Sequence, residues 1–178
     1  VNELAQREIK VVPYDEEWPM TYKKEAARII QALKPILSAI HHAGSTAIPG
    51  ISAKPTIDIV AEVNELDTID DYNEKLSMIG YEALGEYGIK GRRYFVKTDG
   101  LANHLVHLHI FETESENVVR HLAFRDYLKA HEDDAVFYSQ LKQTLAEQFR
   151  YDSEGYCEGK NEVCKRIEQL ALQWWYGA

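Results

Sequence analysis

Residues 41–63, HHAGSTAIPGISAKPTIDIVAEV, decide how the rest of this chain is read. Residues 40–43 read as the end of a strand. Gly44 then lets the backbone turn tightly, and Ser45-Thr46 stands where a short helix can begin. Such a start presents unpaired N–H groups to an anion. The Ser45 and Thr46 hydroxyls add donors, and Lys54 adds a cation to the same loop. Residues 56–63 alternate as a strand does: Ile57, Ile59, Ala61 and Val63 share one face, and Thr56, Asp58, Val60 and Glu62 the other. An aspartate beside a phosphate cradle is what a Mg²⁺ ion shared with substrate phosphates requires. The bland alternative is a structural loop in which Gly44, Pro49 and Gly50 only shape the backbone.

Working outward, residues 1–10 are a polar lead-in and residues 11–14 a short strand or extended arm. Asp15 can cap a helix over 17–39, with Pro19 in its first turn and Pro35 kinking or splitting it. Downstream, residues 66–79 read as a helix stopped by Gly80, and 81–84 as a short strand. A glycine-rich loop over 85–91 leads to strands at 92–98 and 104–111, separated by a turn near Asp99-Gly100. Helical patterns follow at 116–130, 133–151 and 155–176. Strands first and helices after indicate an α+β fold. The expectation is one domain over 1–178: a sheet-containing core to about residue 112 and a helical extension over 113–178.

The balance of 20 Lys and Arg against 29 Asp and Glu gives a formal charge of −9. That argues against broad nucleic-acid binding, which depends on neutralising phosphates, but leaves room for a small basic pocket. Cys157 and Cys164, seven residues apart on a helical pattern, lie about 10 Å apart, too far to bridge. With no disulfide framework, a cytoplasmic location is expected. The segment VNELAQREIK lacks the apolar core of a signal peptide, and no apolar run is long enough to span a membrane.

His107 and His109 alternate on the second of the late strands, opposite Val106, Leu108 and Ile110. Two histidines so spaced can share a transition metal, and Asp58 would be a third ligand if the two strands are neighbours. The plain alternative is an idle, hydrogen-bonded pair; His42, His104 and His121 are read as structural. Lys90, Arg92, Arg93 and Lys97 are a local basic excess suited to a phosphate or to protecting an edge strand. Arg92 and Arg93 face opposite ways, and Arg93 is favoured for the pocket. Glu86 reads as a solvated loop acid, and Lys160 as a surface lysine sharing a helix face with Tyr156. Trp174, Trp175 and Tyr176 suit packing or a contact between copies in a homo-oligomer.

The stretches GSTAIPGISAKPTIDI, RRYFVK, HLVHLHIFE and HLAFRDYL together resemble the GrpB family over nearly the whole chain. The resemblance implies a nucleotidyltransferase-like fold: a mixed β-sheet with helices packed on it and a C-terminal helical region. Active members of that superfamily carry Gly-Ser, then an Asp, one residue and a second acid on the next strand. Gly44, Ser45 and Asp58 match; the second acid position is Val60. Glu62 shares the strand face but stands about 13 Å from Asp58, beyond the reach of one ion.

These readings define a ligand class, a nucleotide or phosphorylated small molecule. Gly44, Ser45, Thr46, Lys54 and Arg93 would bind it, and Asp58, His107 and His109 would act as catalytic groups and hold a divalent metal (Mg²⁺, Mn²⁺ or Zn²⁺). Three functions follow: a nucleotidyltransferase-like transferase, a metal-dependent hydrolase using a metal-bound water, and a non-catalytic binding module on a degenerate enzyme fold.

Overall fold

The computed structural model describes residues 7–177; the first part of the polar lead-in, residues 1–6, lies outside them. Five strands form one mixed sheet: β1 (Leu37–Ala43), β2 (Ile57–Val63), β3 (Tyr81–Ala83), β4 (Arg93–Thr98) and β5 (His104–Glu112). Their spatial order is β1-β2-β5-β4-β3. Only β2 and β5 run parallel, and their register sets Asp58 beside His107 and Val60 beside His109. The other neighbours are antiparallel. The extended arm pairs with the loop before β2 through a single bridge, Val12 to Ala53.

Helix α1 (Trp18–Leu33) stops short of the expected residue 39. Lys34 keeps helical backbone angles, but Pro35 has no N–H to continue the helical ladder, and residues from Leu37 pair with β2 instead. The segment expected as one helix over 66–79 divides. Leu66–Tyr72 is a 3₁₀ turn, rich in poor helix formers such as Asp67, Thr68, Asp70 and Asp71, and only α2 (Asn73–Met78) is α-helical. Gly80 closes it with φ +97, as read from the sequence.

The late helices are α3 (Glu116–Ala130), α4 (Glu132–Gln148) and α5 (Ser153–Trp175). Ser115 caps α3 by accepting from the Asn117 N–H, and Asp152 caps α5 by accepting from Gly155.

The period-two pattern divides the sheet into unlike faces. Ile57, Ile59, Ala61, Leu108 and Ile110 are fully buried against α1 and the 66–78 segment, through Ile29, Leu33, Ile69 and Leu76. The other face carries Asp58, Val60, His107 and His109 toward α3, α4 and α5. Val60, at the second acid position, is fully buried with Ala43, Phe111 and Val118. None of the described helices is long and apolar enough to cross a membrane. Both cysteines are free.

Candidate functional site: a polar cavity between the sheet and the late helices

A cavity of about 350 Å³ opens where the β2 and β5 faces meet the late helices. Gly44, Ser45, Thr46 and Lys54 line it from the β1–β2 loop, Asp58 from β2, and His107 and His109 from β5. The adjacency assumed from sequence is therefore present. His109 Nε2 is 3.2 Å from Asp58 Oδ1, and His107 Nδ1 is 3.6 Å from the same oxygen. Burial pushes the Asp58 carboxyl up, but the facing histidine N–H groups outweigh it and hold it well below the usual carboxylate range.

Gly44 is required where it stands. Its φ is +69, and a Cβ there would strike Oδ2 of Asp58. The expected helix after it is only a three-residue 3₁₀ turn, Ser45–Ala47. So short a turn has no helix dipole to offer an anion, and the loop's polar groups toward the cavity are its side chains. The Thr46 hydroxyl is engaged by His42 Nε2 at 2.9 Å, and His42 stacks on Tyr22. Burial pushes the His42 pKa down to about 4, so the ring is neutral and structural.

The arginine assignment is corrected. Arg93 pairs in register with Ile110, so it points to the opposite face of the sheet, where Asp70 at 3.0 Å and Asp67 at 3.3 Å hold it. Lys97 is likewise spent away from the cavity, on Glu25 at 2.9 Å. Of the two, Arg92 lies on the cavity side of the sheet, against His109. It is anchored by the carbonyls of Glu86 and Tyr87, lies over the Tyr94 ring, and places Nη1 3.3 Å from His109 Nδ1.

That contact decides a proton. A guanidinium only donates, so His109 Nδ1 is the acceptor, and the ring proton sits on Nε2 and is donated to Asp58. Metal-binding histidines have the reverse arrangement, with the second nitrogen donating to a carboxylate or carbonyl. For His109 Nε2 to bind a metal, Nδ1 would have to carry its proton against the Arg92 N–H. His107 Nε2 is also engaged, 2.7 Å from His104 Nδ1. No group of three or more His, Cys, Asp or Glu side chains among the described residues is arranged to hold a metal ion. Asp58, His107 and His109 come together as a hydrogen-bonded acid–imidazole cluster, and this arrangement does not fit a metal ion.

The late helices close the cavity, with residues the sequence reading had set aside (His121, Lys160) and others it had not named (Tyr138, Lys142). Tyr138 and Lys142 enter the cavity from α4, Tyr156, Lys160 and Cys164 from α5, and Arg120 and His121 from α3. Lys142 is 3% exposed, and its ammonium has no hydrogen-bond partner. Burial, with repulsion from Lys160 and Lys54, pushes its pKa down to about 7. Among the described residues, the buried side-chain polar atoms without a partner are His121 Nε2, Lys142 Nζ and the Tyr156 hydroxyl. All three residues line this one cavity. A signal for Lys142 did exist. Ala135, Tyr138, Ser139, Lys142, Leu145 and Ala146 form the buried stripe of α4, and a lysine on such a stripe is out of place.

The family model described as GrpB protein matches residues 8–170. The chain belongs to the GrpB family. It is 39% identical over 168 residues to the UPF0157 protein YqkA of Bacillus subtilis, covering 94% of this chain but 48% of YqkA. The chain thus spans about half the length of that relative. A crystal structure of the conserved protein GrpB from Enterococcus faecalis superposes with a TM-score of 0.90 at 34% identity, covering 94% of this chain and 99% of that one. This agreement establishes the mixed α+β architecture of the family for this chain. A shorter stretch of 90 residues, 47% of the chain, is 36% identical to a part making up 21% of a dephospho-CoA kinase of Mycolicibacterium paratuberculosis.

Proposed function

We propose that this GrpB protein binds a nucleotide or a related phosphorylated small molecule in the cavity between the sheet and the late helices. One observation carries the reading. The unpartnered buried side-chain polar atoms of the described residues all belong to residues lining that cavity. Leaving such atoms unsatisfied costs about 1–3 kcal/mol each, and a polar ligand that reaches them recovers it. The ligand's charge follows from the lining: Lys54, Lys142 and Lys160 converge there in a chain of formal charge −9. The cavity volume lies at the lower end of the range for small-molecule sites.

The nucleotidyltransferase-like placement supports the same ligand class, as does the partial likeness to an enzyme named for dephospho-CoA. At the cluster, Asp58 fixes the His109 tautomer and orients the ring. His107 bridges Asp58 and His104 through its two ring nitrogens, tying the cluster back into the sheet. The buried Val60 favours binding without nucleotidyl transfer, because the second metal-binding acid is replaced by packing.

The test is calorimetric titration of the full chain with ADP, ATP, dephospho-CoA and a sugar phosphate, alongside an Asp58→Ala variant. Saturable binding of at least one phosphorylated compound, with loss or weakening in the variant, is expected. Heat-silent titrations across the panel would remove the reading. Incubation with labelled ATP separates the binding module from a transferase: intact nucleotide is expected, and a labelled acceptor or released diphosphate would show the reverse.

A further inference from the structure

Superfamily logic places a nucleotide's phosphates on a divalent ion held by paired carboxylates. This chain lacks the second carboxylate, and its histidines are oriented by Arg92 against metal ligation. What stands in the same cavity is uncompensated positive charge. Lys142 lies over the Tyr138 ring at 4.5 Å, and Lys54 and Lys160 lie over the Tyr156 ring at 5.2 and 4.9 Å. None of the three has a carboxylate within ion-pair distance among the described residues. The other charges of the cavity are partnered: Arg120 faces Glu168 at 3.7 Å, and Asp58 faces its histidines.

We propose that Lys54, Lys142 and Lys160 form a metal-independent receptor for a diphosphate group of the ligand. The proposal rests on the reading that the cavity takes a phosphorylated small molecule, and it assigns that molecule's charged end. Three elements contribute to it: the β1–β2 loop, α4 and α5. Three ammoniums complement the charge of a phosphoanhydride, which carries about three negative charges when terminal, better than that of a single monoester. The ammoniums compact the diphosphate as a metal ion otherwise would, and the buried Tyr156 hydroxyl supplies a neutral donor at the same end. The Tyr138 and Tyr156 rings stabilise the three ammoniums before the anion arrives.

The tyrosine faces also explain why the lysines stay unpaired. Cation–π contact stabilises an ammonium without neutralising it, which leaves the full charge for a ligand. A carboxylate at the same place would compete with the phosphates.

The experiment is calorimetry on the full chain near pH 7 with inorganic pyrophosphate, ADP and adenosine, once in EDTA and once in excess Mg²⁺. The variants are Lys142→Met, Lys160→Met and, as a control away from the cavity, Arg93→Ala. Pyrophosphate and ADP are expected to bind in EDTA, adenosine to bind much more weakly, and Mg²⁺ to bring no gain. Either cavity variant should weaken ADP by about tenfold to a hundredfold, with Arg93→Ala unchanged. Using two lysine variants, each checked by a cooperative melt, keeps the test intact if one fails to fold.

Binding that demands Mg²⁺ overturns the receptor while leaving the ligand class standing. So does ADP binding untouched by both lysine variants, or adenosine binding as tightly as ADP. If none of the compounds binds in either condition, both the receptor and the broader reading fall.

Discussion

The two faces of strand β5 are built to opposite rules. On one, Val106, Leu108 and Ile110 are buried among apolar side chains. The charged groups at that side are closed into pairs: Lys97 with Glu25, and Tyr81 donating to Glu25 at 2.8 Å. On the other, His107 and His109 look into a cavity whose lining holds the orphaned polar atoms of the described chain. Residues one apart in sequence thus serve a satisfied core and an unsatisfied hollow. A protein pays stability for unsatisfied groups only where something else benefits, and this is the ground for proposing a ligand at the second face.

Substitutions on the two faces should therefore differ in sign as well as size. Leu108→Ala removes fully buried apolar volume and is expected to lower stability by about 3 kcal/mol. Chemical denaturation measures this loss. Lys142→Met, on the other face, replaces a buried, unpartnered amine with a side chain of similar length. It should stabilise by about 2 kcal/mol, a rise of about 5 °C in melting temperature, while weakening ADP binding. A melting temperature that falls instead would show that Lys142 is a packing or pairing element, and the contrast between the faces would fail there.

Gly44→Ala tests the join between loop and cluster. A side chain at this positive φ displaces Asp58, and a cost of about 1–2 kcal/mol in thermal or chemical unfolding is expected. Its ADP affinity should drop as well.

The pH dependence sharpens the comparison further. In the empty cavity the Lys142 amine titrates at about 7, and a bound anion raises that value. Below pH 7 the amine is charged whether or not ligand is present, so its contribution is constant. Above pH 7, binding must take up a proton, and ADP affinity should fall by up to about tenfold per pH unit. The groups facing Lys142 are Lys54, Asp58, Tyr138, Lys160 and Cys164. An affinity flat from pH 7 to 9 would contradict this. The smallest effect is expected from Arg93→Ala, which loses exposed partners on the far face and should cost less than about 1 kcal/mol.

How far the sequence could be read follows from the range of its signals. Alternation along β2 and β5 put Asp58, His107 and His109 on the correct faces, and Gly80 marked a helix end. Local signals failed where tertiary register decides. Arg92 and Arg93 were recognised as facing opposite ways, but which one lies on the cavity side of the sheet depends on how β4 pairs with β5, and Arg93 opposite Ile110 settles it. Pro35 was seen as a break. That the chain beyond it would become strand depended on the edge of β2, 20 and more residues away.

Lys142 was missed, and His121 was read as structural, for a similar reason. Each sits on a helix that reaches the sheet only in the folded chain, and neither belongs to the Gly-Ser motif. The stripe of α4 nevertheless carried the clue: a lysine among Ala135, Tyr138 and Leu145 is costly to bury, and that cost marks a use.

The most direct test follows the Lys142 ammonium itself. Protein labelled with ¹⁵N-lysine, with Lys142→Met used to assign the resonance, is titrated with acid and base by NMR, with and without saturating ADP. The Lys142 amine is expected to titrate at about 7 in the empty protein and at a distinctly higher pH once ADP is bound. An amine whose titration is unmoved by saturating ADP would contradict the claim that the unsatisfied face of the sheet is the ligand site.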